Sequence, residues 1–182
     1  MKKILLLVVV AILLVTGCGM EKSATPTERV EEWMMTFQKR DEGVVKELTD
    51  WLMGQDLEEE DRNEYQNALE KQYQNLSYEI VSEEINGEDA TVVAEIEVLD
   101  YHSSMVQSRD YFANHQEEFI DEVKEDNEID DLKEFTTYKI KELSKVEDKT
   151  KYQIIFELVK INNDWQIQDI DSSTFLKMYG LY

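Results

Sequence analysis

Apolar residues recur along this chain with two different periods, and each change of period marks a new element. From Pro26 onward they fall every three or four positions. Val30, Trp33, Met34 and Phe37 make one stripe, which predicts a helix packed along that face. Thr25-Pro26-Thr27-Glu28 reads as its start: Thr25 is the N-cap, proline occupies a first-turn position where no N–H is needed, and Glu28 closes a capping box. A second helix is predicted over Glu42–Met53, with Val44, Val45, Leu48, Trp51 and Leu52 inward and Gly54 ending it. A third runs from about Leu57 to Tyr73, burying Leu57, Tyr65, Ala68, Leu69 and Tyr73.

The period then falls to two. Leu76, Tyr78 and Ile80 alternate with polar neighbours, Asn86-Gly87 turns the chain, and Ala90, Val92, Ala94, Ile96 and Val98 alternate on the return. Helical spacing resumes over about Ser104 to Asn127, with Met105, Phe112, Phe119 and Val123 as its inner stripe. After a break near Asn127, Ile129, Leu132, Thr136, Ile140 and Leu143 predict another helix, against the β-propensity of Thr136-Thr137-Tyr138. A second hairpin follows. Tyr152 to Ile161 is rich in Ile, Phe and Val, Asn162-Asn163-Asp164 turns, and Trp165, Ile167 and Asp169 alternate with Gln166, Gln168 and Ile170. Asp171 to Tyr179 adds a short helix ended by Gly180, so the fold class is α+β.

This order of elements, closing on a return strand Asn163-Asp164-Trp165-Gln166-Ile167, resembles bacterial lipoproteins with a nuclear-transport-factor-2-like domain, also called cystatin-like. Trp165 and Ile167 fill the places of the tryptophan and aliphatic residue that follow the last turn in that family. The resemblance covers residues 26 to about 180. It implies helices packed over a strongly curved antiparallel sheet of two hairpins, cone-like, often around a pocket.

The N-terminus has a different character. Lys2 and Lys3 precede an unbroken apolar run of 12 residues from Ile4 to Val15, then Thr16, Gly17 and Cys18. At 1.5 Å per residue such a run reaches only about 18 Å, short of the roughly 20 residues that a membrane-crossing helix needs. Residues 1–17 therefore read as a secretory signal. Val15-Thr16-Gly17-Cys18 resembles the bacterial lipobox, which implies diacylglycerol on the Cys18 thiol and cleavage before it. The organisation expected is a signal at 1–17, a lipidated cysteine and tether at 18–24, and one α+β domain at 25–182. The expected place is the extracytoplasmic face of a cell membrane. Cys18 is the only cysteine, so no internal disulfide forms and core burial alone stabilises the domain.

Charge narrows the partners. The chain has 41 acidic and 19 basic residues, and without Lys2 and Lys3 its formal net charge is −24. Such a surface repels nucleic acid and anionic headgroups, which leaves membrane attachment to the lipid. The acidic run from Glu125 to Asp131 fails the EF-hand spacing, because Asp131 stands where glycine is required and Thr137 where glutamate is required.

Reactive chemistry is sparse. His102 and His115 belong to no metal-binding motif, and no metal or cofactor is expected. Asp100-Tyr101-His102-Ser103-Ser104 carries the residue types of a nucleophile and its base, but reads as a loop entering a helix capped by Ser103 or Ser104. Six glycines in the whole chain leave no phosphate-cradling loop. Asp169 and Asp171 read as the solvent end of a strand. Trp33, Phe37, Trp51, Tyr101, Tyr111 and Phe112 are the candidate lining of an apolar pocket, and core packing explains them equally.

The function expected is a non-enzymatic binding or interaction module taking a small molecule or a protein partner. The alternatives are a hydrolase or isomerase with a site near His102 or His115, and a structural spacer in an envelope complex. Cys18→Ser is expected to abolish acyl labelling and shift the protein out of the membrane fraction, because each buried CH₂ contributes roughly 0.8 kcal/mol to anchoring.

Overall fold

The computed structural model describes residues 23–119 and 133–182. The signal, Cys18 and the first part of the tether lie outside the described residues, as do Val123, Ile129, Leu132, the break near Asn127 and the run from Glu125 to Asp131.

Helix α1 (Pro26–Gln38) begins on the capping box. The Glu28 N–H donates to Thr25 Oγ1 at 3.1 Å, and the Thr25 N–H donates to Glu28 Oε2 at 2.6 Å. The next free donor, Thr27 N–H, is taken by Glu83 from a strand, which fixes the helix on the sheet. Helices α2 (Glu42–Met53) and α3 (Glu59–Asn75) follow, and α3 starts two residues later than its apolar pattern because Glu58 is extended. Leu57 still packs on the core from outside the helix. Trp51 does not point inward as its spacing suggested; it is 49% exposed at the edge of α2.

Strands β1 (Ser77–Asn86) and β2 (Asp89–Leu99) form the first hairpin, and β3 (Lys149–Ile161) and β4 (Asp164–Ile167) the second. All pairings are antiparallel in the order β1-β2-β3-β4, and β2 and β3 pair from Asp89↔Val159 to Leu99↔Lys149. The second turn places both Asn162 (φ 51°) and Asn163 (φ 67°) in left-handed backbone, the conformation that a two-residue hairpin turn of matching twist requires. A bulge between Ile80 and Ser82 shifts the β1 register, and such bulges bend a sheet. The result is helices packed on one face of a curved antiparallel sheet.

Alternation decides which face is covered. Ala90, Val92, Ala94, Ile96 and Val98 of β2, Ile154, Phe156 and Leu158 of β3, and Trp165 of β4 are buried beneath the apolar stripes of α1 and α3, and α2 packs on α3 in the same core. The other face meets water, and there Lys149 and Lys151 pair with Glu97 and Glu95 at 3.1 and 2.7 Å.

Between the hairpins lie α4 (Tyr101–Asn114), a 3-10 turn (Gln116–Phe119) and α5 (Lys133–Ser144). The α4 start departs from expectation by three residues, because Asp100 and not Ser103 or Ser104 is the cap. Its carboxylate accepts from Ser103 N–H at 3.0 Å and from Ser103 Oγ at 2.7 Å, and a negative cap also suits the helix dipole. The helix stops at Asn114 because His115 leaves helical backbone. Thr136, Thr137 and Tyr138 are helical despite their β-propensity, since Phe135, Ile140 and Leu143 bury one helical face. Phe112, Phe119 and Phe135 form a second small core here, apart from the main one.

Strand β4 ends at Ile167, so Asp169 and Asp171 do not share a strand face as expected. Asp171 instead caps α6 (Ser172–Met178), accepting from Thr174 N–H at 2.7 Å. Gly180, at φ 67°, then closes a Schellman motif: Leu181 N–H donates to Leu176 O at 2.8 Å and Gly180 N–H to Lys177 O at 2.9 Å.

One polar contact ties these parts together. The buried Gln72 side chain on α3 donates through Nε2 to Leu99 O at 2.9 Å, and its Oε1 accepts from Leu99 N–H at 2.7 Å. The side-chain amide acts as a one-residue strand at the end of β2. Gln72→Leu is expected to leave both Leu99 groups buried and unpaired and to cost about 2–4 kcal/mol, read as a lower urea midpoint with an unchanged m-value.

Candidate functional site

A cavity of about 400 Å³ opens among α1, α2, α3, α6 and the C-terminal tail. Its walls follow from helical spacing. Helix α2 contributes Val44, Leu48 and Trp51 from one stripe, α3 contributes Tyr65 and Leu69 one turn apart, and α6 contributes Phe175 and Leu176 with Tyr179 as its C-cap. Phe37 at the end of α1 and Leu181 of the tail complete the apolar lining, and Glu47 and Ser172 are its polar members apart from the tyrosine hydroxyls. No strand residue lines it, so this cavity lies among helices and not between helices and sheet.

Aromatic contacts hold the walls. Trp51 meets Tyr65 edge to face at 6.0 Å, Phe37 meets Tyr73 at 5.6 Å, and Tyr73 meets Tyr179 at 5.8 Å. The Tyr73 and Tyr179 hydroxyls share a hydrogen bond of 2.7 Å, which links α3 to the end of α6. His102 N–H donates to Gly180 O at 2.6 Å, and Tyr152 OH donates to Tyr182 O at 2.8 Å, so the tail is pinned on both sides. Trp51 and Leu176, 43% exposed, stand at the mouth.

Burial pushes the Tyr65, Tyr73 and Tyr179 hydroxyls above their ordinary value, and the nearby Glu47 charge adds to this at Tyr73 and Tyr179. All three therefore stay protonated at neutral pH.

The six aromatic residues singled out in the sequence divide three ways. Phe37 and Trp51 meet in the cavity. Trp33 instead packs edge-on against Phe37 at 4.7 Å and Phe156 at 5.3 Å, and Tyr101 is wholly buried with its hydroxyl donating to Ala68 O at 2.5 Å. Tyr111 and Phe112 belong to the second core: Tyr111 stacks on His115 at 4.0 Å and Tyr138 at 4.9 Å. Tyr65, Phe175, Leu176, Tyr179 and Glu47 were missed as lining. The spacing of Phe175, Leu176 and Tyr179 within a short helix was the available signal.

Neither histidine lines the cavity. His102 is exposed in the first turn of α4, and the His115 ring sits at the other end of that helix with Nδ1 2.9 Å from Tyr111 O. Asp100 and Ser103 bond each other as a helix cap, not as a base and its nucleophile. A second, polar hollow lies between α3 and α5, where Glu58 pairs with Lys133 at 3.1 Å and the buried Asp61 accepts from Thr137 Oγ1 at 2.6 Å. Among the described residues no group of three His, Cys, Asp or Glu side chains is placed to hold a metal ion, and no helix is long and apolar enough to cross a membrane.

No protein-family model and no curated protein matches the chain. Among solved structures it is similar to the crystal structure of a candidate lipoprotein, ycdA, from Bacillus subtilis subsp. subtilis str. 168. The two are 15% identical with a TM-score of 0.40, over 87% of this chain and 47% of that one. The chain thus spans about half the length of that protein, and a likeness of this size carries no argument about ligand or location.

The protonated tyrosines give a pH test with a definite sign. Their folded values lie above the unfolded value of about 10, so their contribution is fully present below about pH 10 and is lost as pH rises through the folded values. Thermal midpoints measured from about pH 8 to pH 11 should fall less steeply in Tyr73→Phe/Tyr179→Phe than in the parent.

Proposed function

We propose that the protein is a non-enzymatic binding module, held at the extracytoplasmic face of a membrane through lipidated Cys18, that takes an apolar ligand into the cavity among α1, α2, α3 and α6. The observation that carries this reading is the cavity itself. At about 400 Å³ it falls within the roughly 300–1,000 Å³ of small-molecule sites, and its walls are mainly aliphatic and aromatic with a few polar groups.

A hydrolase or isomerase site near His102 or His115 has less support, because neither histidine lines this cavity. The resemblance to nuclear-transport-factor-2-like lipoproteins supports a pocket-bearing domain, although here the lining comes from helices. The lipobox residues Val15 to Cys18 support attachment.

Attachment also gives the cavity a direction. Ser23 Oγ donates to Asn163 O at 2.6 Å, so the chain enters the domain beside the β3–β4 turn. Lys160 N–H donates to Glu88 O at 2.7 Å, which brings the β1–β2 turn to the same end. Five residue steps from Cys18 to Ser23 span at most about 18 Å. Phe37 lies near the far end of α1, roughly 17 Å along its axis from Pro26, so the cavity faces away from the tethered end.

Native mass spectrometry of the full-length protein, purified from its own host in detergent, tests the reading. The expected result is a small molecule retained by the parent and lost in Val44→Trp, whose indole fills the cavity, while the thermal midpoint changes by only a few degrees. Equal retention by both proteins would remove the ligand from this cavity.

A further inference from the structure

We propose that the ligand of this cavity is an organic cation: an apolar body seated among the aromatic walls, with a single ammonium-type head at the mouth beside Glu47. The proposal rests on the binding reading above and adds the charge of the ligand to it.

Glu47 is the only cavity-lining residue that carries a formal charge. It sits on the exposed side of α2, and among the described residues its carboxylate makes neither an ion pair nor a hydrogen bond. Its neighbour Lys46 hydrogen-bonds Asp50, and the Glu47 charge acts on it only through space. A carboxylate with no hydrogen-bonded partner at the rim of an apolar hollow offers a positive group a partner and offers a negative group only repulsion.

The rings point the same way. Trp51, Tyr65 and Tyr179 line the cavity on three different elements, and the faces of such rings attract ammonium groups through their quadrupoles. The Tyr65 hydroxyl makes no hydrogen bond to any described residue and remains protonated, so it is free to accept from an N–H or to meet a methylated head through its ring. With a formal charge of −24 on residues 18–182, the surrounding field raises the local concentration of cations and depletes anions, which disfavours fatty acids and other anionic amphiphiles of the same size.

Three compounds with one aromatic body and different charge separate the possibilities: benzyltrimethylammonium, benzyl alcohol and phenylmethanesulfonate. Binding is measured by ligand-observed NMR on the full-length protein in bilayer nanodiscs, with empty nanodiscs subtracted. The cation should bind about five- to tenfold tighter than the alcohol, and the sulfonate more weakly than either. Glu47→Gln should remove about fivefold of the cation's affinity and leave the alcohol unchanged. Ser172→Lys, which adds a positive charge on the α6 side of the mouth, should weaken the cation and strengthen the sulfonate.

If the cation and the alcohol bind equally, or if both variants leave the cation's affinity unchanged, charge selection is overturned and the binding reading stands. If none of the three compounds binds the parent, that reading falls with it.

Discussion

The fold depends on how the end of β2 is closed. A strand that stops inside a protein leaves a backbone N–H and a C=O with no neighbour, and water is excluded there. Gln72 answers both groups of Leu99 from the last turn of a helix, which holds α3 against the end of the sheet at one point. Gly180 comes in against the same spot. A Cβ there would stand 1.9 Å from Leu99 O and 2.5 Å from Gln72 Nε2, and its backbone is left-handed, so glycine suits the position on two separate grounds. Through this junction the C-terminal tail, the start of α4 and the last turn of α3 share one origin of coordinates.

The cavity inherits its shape from that junction. Helix α6 has only seven residues, too few to hold itself in place by helical propensity. It is held at its start by the Asp171 cap and at its end by the Schellman turn, the Tyr73–Tyr179 hydroxyl pair and Gly180. One wall is therefore set by these polar contacts together with the burial of Met178 in the main core, while Trp51 and Leu176 at the mouth remain exposed. Apolar surface left open in this way forfeits packing that a closed core would gain. A ligand that fills the space restores those contacts without having to order the walls first.

Much of the fold was legible because each local rule acts within a few residues. The capping box at Thr25–Glu28, the asparagine pair at the second turn and the alternation along β2 all state their structure directly. Boundaries were less legible where two residues of capping type compete: Asp100 and Ser103 both qualify at the start of α4, and the carboxylate takes the N-cap because it serves Ser103 twice. Gln72 could not be read as buried, since a glutamine on a polar helix looks solvated until its partner 27 residues away is known. The candidate site failed for the same reason. Periodicity shows that Phe112 and Phe175 each belong to an apolar stripe, but which stripes meet depends on long-range packing, and α4 turned its stripe toward α5 instead of α2.

Charge and shape act together on the molecule as a whole. Acidic residues are spread over helices and the open sheet face, with few basic residues to offset them, and a net charge of this sign repels an anionic bilayer. Under attachment through Cys18, orientation is then left to where the tether enters, beside the hairpin turns, and to repulsion that keeps the rest of the domain outward. The cavity lies toward the opposite end of α1. A cation reaching it from the aqueous side moves down the potential of the acidic surface and meets Glu47 before the rings. A lipid from the same bilayer would have to leave hydrocarbon and cross the anionic flank of the domain to arrive at the mouth. Under attachment through Cys18, the sign of the surface charge and the entry of the chain beside the hairpin turns would favour a ligand supplied from solution over one from the bilayer.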